Sequence, residues 1–95
     1  PETPTKVLVR PPNKGGRAWL VSWEDPSKCK GYPGHRYIVN VVDLQNEATS
    51  HIPVSTPSIT LDRLNECSET WVGIFTINFA GDSPVSPLVK IINPP

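Results

Sequence analysis

Charge of one sign is missing from this sequence. Nine Lys and Arg balance nine Asp and Glu, for a formal charge of +0, and no run of like charges gathers anywhere along the chain. Attraction to a phosphate backbone or an anionic bilayer needs a basic excess or patch, so neither nucleic acid nor direct membrane contact is indicated. Long apolar runs are missing as well, the longest being a few residues against the roughly 20 that cross a bilayer. No basic stretch followed by an apolar one opens the chain as a secretory signal would. Cysteine is scarce, and Cys29 and Cys67 do not form a Cys-x-x-Cys pair. His35 and His51 are too far apart in sequence to make a local ligand pair and read as loop or edge residues. Gly15-Gly16 lacks the Lys-Ser or Lys-Thr of a phosphate loop, and no nucleophile with a base or carboxylate pair shows a recognisable spacing. The expectation is a chain with no catalytic activity, cofactor or metal of its own. Asn-x-Ser and Asn-x-Thr sequons are absent, Asn65-Glu66-Cys67 being only the rare variant, so every face is expected to stay open to protein contact.

What the sequence does hold is punctuation. Twelve Pro and six Gly lie between short β-branched and aromatic runs, as in an all-β domain. Ninety-five residues, 37% of them hydrophobic, suffice for one domain with a small core of its own. Strand-like runs cover Val7 to Arg10, Ala18 to Trp23, Arg36 to Val42, Thr49 to Pro53, Ser58 to Leu61, Thr70 to Phe79 and Pro87 to Ile92. Seven short strands suit an antiparallel two-sheet sandwich of immunoglobulin-like form. No stretch carries a capped helical period, so almost no helix is expected.

Alternation places Trp19, Val21 and Trp23 on one face of the second strand, and Tyr37, Val39 and Val41 on one face of the third. Trp23, Tyr37, Val39, Leu64 and Ile74 are the expected core. Residues 1–95 read as a single module with Pro-rich linker residues at both ends, Pro1 to Pro4 and Asn93 to Pro95.

At Val21-Ser22-Trp23-Glu24-Asp25-Pro26 the chain begins to resemble the fibronectin type III family, whose second strand ends in a core Trp followed three residues later by Pro. Tyr37-Ile38-Val39 is similar to its Tyr-x-Val third strand. Ile59, Leu61 and Leu64, then Val72, Ile74, Thr76, Asn78, Gly81, Ser83 and Ser86, continue the likeness. There are departures. The tyrosine that follows the loop leucine by six residues in the family, tying the corner with its hydroxyl, is Thr70 here. Glu66 stands where many members have Pro, and the two Cys are outside the pattern. The immunoglobulin family proper is disfavoured because no Trp lies between Cys29 and Cys67. Ala80-Gly81-Asp82-Ser83-Pro84 resembles an integrin-binding loop of one fibronectin module, but Ala80 replaces the cation. The ordinary turn of the family is the favoured reading.

The resemblance implies a protein-binding or spacer module of an extracellular cell-surface receptor or adhesion protein, membrane-anchored or secreted and multidomain. The alternatives are a module of an intracellular filament-associated, muscle-type array and an accessory module of a secreted enzyme. Two Cys permit one disulfide, Cys29 with Cys67, which parity favours; the family topology places their loops at opposite poles. If Val72, Ile74 and Thr76 point inward, Trp71, Phe75, Ile77 and Phe79 point outward and share a face with Ile38 and Val42. That face is the candidate surface for a protein partner or for self-association. The competing reading is a one-residue bulge near Thr70 that turns Trp71 inward and shifts the residues after it.

Overall fold

The computed structural model describes every residue except Cys29, Arg63 and Pro95. Two antiparallel sheets face each other. The smaller is built from β1 (Thr5–Arg10), β2 (Trp19–Glu24) and β5 (Ser58–Leu61), in the order β1-β2-β5. The larger contains β3 (Arg36–Asp43), β4 (Ala48–Val54), β6 (Ser68–Asn78), β7 (Gly81–Asp82) and β8 (Val89–Asn93). Its order is β4-β3-β6, with β7 and β8 both pairing β6. No helix occurs among the described residues, and none is therefore long and apolar enough to cross a membrane.

Eight strands stand where seven are expected, because the last one is interrupted. Pro84 and Pro87 have no N–H to give, and a regular ladder fails where they stand. The serines beside them compensate. Ser83 and Ser86 donate their N–H groups to Thr76 O and Ile74 O at 2.8 Å each. Their hydroxyls accept from the N–H of Thr76 at 2.8 Å and of Ile74 at 2.9 Å. The edge of β6 is thereby satisfied although no regular ladder joins β7 to β8.

Period-two alternation sorts the core. Val21, Val39, Val72 and Ile74 are fully buried, with Trp23, Tyr37, Leu61 and Ile91 close behind. Of the five expected core residues, Trp23, Tyr37, Val39 and Ile74 are buried, and Leu64 is half-buried against them. Trp23 meets Tyr37 edge to face, with ring centroids 5.4 Å apart, the arrangement that aromatic quadrupoles favour.

The corner before β6 shows what replaces the missing tyrosine hydroxyl. Thr70 is buried, but the tie comes from Asn93 at the end of β8. The Asn93 amide donates to Leu64 O and Asn65 O, both at 2.9 Å, and its oxygen accepts the indole N–H of Trp19 at 3.1 Å. One side chain thus fastens β2, the corner and β8 together. The residues read as linkers are accordingly built in part into the sandwich: Asn93 belongs to β8, Pro4 is buried, and Glu2 donates its N–H to the Ser27 hydroxyl.

Candidate protein-contact face

The pairing of β3 with β6 runs without a register shift from Arg36 opposite Ile77 to Asp43 opposite Thr70. There is no bulge at Thr70, so Trp71 does not turn inward. Residues opposite each other in an antiparallel pair share a face, which puts Ile38 beside Phe75 and Val42 beside Trp71 on the side away from the core. Ile38, Val42, Trp71, Phe75 and Ile77 are half-buried, and Phe79 is 87% exposed. Five of the six expected residues therefore fall on one stripe along β6 and β3, and Phe79 stands just past the strand end, its N–H bonded to Pro33 O.

Sequence reasoning missed part of this surface. Gly73 also faces outward, and a Cβ on it would lie 2.7 Å from Leu88 and 2.8 Å from Val85. The absent side chain lets the segment between β7 and β8 lay those two residues over the sheet. Val85 and Leu88 stay 44% and 52% exposed, enlarging the apolar face while half-covering its centre. Leu44, from the turn after β3, joins Val42, Trp71 and Leu88 around a shallow pocket of about 310 Å³. The signal in the sequence was Gly73 itself, since a glycine within a strand often marks close approach of another segment. At the rim, Lys90 Nζ stands 5.7 Å from the centroid of the Trp71 ring and 3.4 Å from Glu69.

A second cluster lies at the pole beside Phe79, and it is closed on itself. Asp25 accepts from Tyr37 OH at 2.9 Å, from Ser27 N at 2.8 Å and from His35 Nε2 at 2.7 Å. Asn78 donates to His35 Nδ1 at 3.3 Å, its amide oriented by the Ala80 N–H at 2.8 Å. With Nδ1 accepting, the Nε2 proton is the one given to Asp25. Burial pushes the Asp25 carboxyl up, but hydrogen bonds from Ser27, His35 and Tyr37 outweigh it and hold the group at about 2, down from 3.8. Burial, then the hydrogen bond to Asp25 and its charge, push Tyr37 to about 12, so it remains a donor. Both imidazole nitrogens are occupied, by Asp25 and by Asn78. The cluster ties together the N-terminal segment, the loop after β2, β3 and β6. His35, read as an ordinary loop histidine, is thus a buried member of this network; His51 sits exposed on the edge strand β4.

Among the described residues no group of His, Cys, Asp or Glu is placed to hold a metal ion. Cys67 is exposed with a free thiol; Cys29, whose pairing with it parity favours and topology opposes, lies outside the described residues.

No family model and no curated protein matches the sequence. Solved structures do. One described as a myokine structure is 23% identical, with a TM-score of 0.80, over 100% of this chain and 99% of that chain. The FN1-FN3 domains of chicken CNTN1 are 22% identical with a TM-score of 0.79, this chain covering 98% of its own length and 31% of theirs. The twitchin kinase region of C. elegans, which includes an Fn31 segment, is 17% identical with a TM-score of 0.78. The match covers 100% of this chain and 17% of that one.

Proposed function

We propose that this chain, folded as a fibronectin type III sandwich, is a non-catalytic protein-contact module of an extracellular receptor or adhesion protein. The observation that carries the proposal is the outward stripe on β3 and β6, where Ile38, Val42, Trp71, Phe75 and Ile77 stand together on an unbroken register, with Phe79 exposed just past the end of β6. Scattered exposed aliphatics need no explanation, whereas a contiguous aromatic-rich patch marks a contact surface. A photo-reactive phenylalanine analogue at Phe75 tests it in cells that make the protein, with the same group at Leu8 of the other sheet as control. Leu8 is itself 66% exposed, so exposure alone predicts equal labelling. Specific adducts from position 75 and none from position 8 support the contact face; equal labelling from both contradicts it.

A second reading turns on the redox state of Cys67, which is exposed. Thiols that stay reduced fit an intracellular array, in which the module acts as a spacer. Thiol alkylation followed by mass measurement separates the two. Two alkylated cysteines in the native protein favour the intracellular reading, and none favours the extracellular one.

A further inference from the structure

The contact face has a charge pattern as well as an apolar centre. Arg36 and Asp82 flank Ile77 on either side, because Arg36 pairs with Ile77 and Ile77 with Asp82. Lys90 flanks Trp71 on the β8 side. Glu47 lies nearest the remaining corner, in the exposed turn that leads into β4, one strand out from β3 and below the level of Val42. Going round the face, the corners read Arg36, Asp82, Lys90, Glu47: positive, negative, positive, negative. Glu69 lies beside Lys90 and shares its charge at 3.4 Å, but the Lys90 side chain is still 44% exposed and an ammonium has three donors to distribute.

From this arrangement we infer that the occupant of the face is a second copy of the same chain, packed sheet to sheet with its strands antiparallel. The inference rests on the contact-face reading above and names its partner. A two-fold axis lying across the strands, between the levels of Phe75 and Gly73, brings Asp82 of one copy over Lys90 of the other, and Arg36 over Val42, one strand in from the turn that carries Glu47. The contact between Asp82 and Lys90 occurs twice and joins opposite signs each time. The levels of Asp82 and Lys90 are those of Ile77 and Trp71, six residues or about 20 Å apart, so the charges bracket the apolar stripe rather than interrupt it. A formal charge of +0 leaves no net repulsion between copies. Val85 and Leu88, which lie over Gly73 near that axis, would carry the apolar contact between the copies, and an isologous two-fold contact is the commonest closed assembly. A partner of strong single-sign charge would meet two repelling corners wherever it met two attracting ones.

Sedimentation velocity on the chain over a range of concentration and salt tests the inference, using two charge reversals, Lys90→Glu and Asp82→Lys. The parent is expected to form dimers that weaken as salt rises. Each reversal alone places like charges opposite each other twice and lowers association about tenfold or more. In an equimolar mixture of the two variants, the reversed residues face each other at one contact and the unchanged Asp82 and Lys90 at the other. Opposite signs meet at both, and the mixture dimerises like the parent. That recovery also shows that neither variant is misfolded. A parent that stays monomeric, a single reversal that associates like the parent, or a mixture that fails to recover overturns the second-copy inference. If adducts from position 75 then join the chain to a different protein, the contact face stands and only its occupant was wrong. If position 75 gives no specific adduct at all, the contact-face reading fails with it.

Discussion

The inner and outer faces of β6 are built from similar residues and have different fates. Val72, Ile74 and Thr76 point inward and are fully buried, while Trp71, Phe75 and Ile77, their immediate neighbours in sequence, remain partly in solvent. Residue type alone would rank the aromatic set as the better core. Phase decides instead: the pairing with β3 runs without a slip, and a slip of one residue would exchange the two sets. The inner face makes the fold, and the outer one is left to make contacts.

The sharpest way to break this division is from the inner side. Trp23 faces Tyr37 across the core, and Trp23→Ala is expected to cost about 3 to 5 kcal/mol, the scale for deleting a large buried aromatic. A calorimetric melt within a few degrees of the parent would remove Trp23 from the core. Acid comes next. Asp25 holds the inner end of β3 through Tyr37, and its carboxyl lies at about 2 when folded against 3.8 for the free group. A depressed carboxyl contributes stability above its unfolded value that is lost as pH falls through its folded one. The window is therefore from about pH 4 down to pH 2, and the loss is about 2 kcal/mol. Denaturant melts of the parent and of Asp25→Asn across that window check this: the parent should lose more stability than the variant on acidification.

Asn93→Ala removes three hydrogen bonds at the corner, one of them part of the tie on Trp19, and is expected to cost about 1 to 3 kcal/mol. Hydrogen exchange should speed up in β8 and near Leu64 while the centre of β3 is little affected. Uniform protection in the variant would mean that the corner is held by something else. On the outer side the effects are smaller. Gly73→Ala pushes aside the ends of Val85 and Leu88, which are partly exposed and able to move, so a cost of about 1 kcal/mol is expected. The same change should alter the environment of Trp71, read by its fluorescence and by the methyl resonances of Leu88.

Strands and core were legible because alternation and breakers are local signals; Ser58–Leu61 coincides with its expected span. The five outward residues on β3 and β6 were legible for the same reason once the bulge is absent. Val85, Leu88 and Leu44 were not, because they reach the face from irregular segments where alternation says nothing. The Asn93 tie joins positions 74 residues apart from Trp19, and nothing local in Asn93-Pro94 announces it. The Asp25, His35 and Asn78 network was hidden similarly, each member sitting at a strand end where its side chain is aimed by the turn and not by the sheet.

Phe75→Ser beside Ile74→Ser, two neighbours on one strand melted under one condition, tests the division most directly. The expected result is a loss of several kcal/mol for Ile74→Ser, which leaves a cavity and a hydroxyl in the core, against about 1 kcal/mol or less for Phe75→Ser. Equal collapse of both variants would mean that the outer face is core after all, and would contradict its assignment to contact.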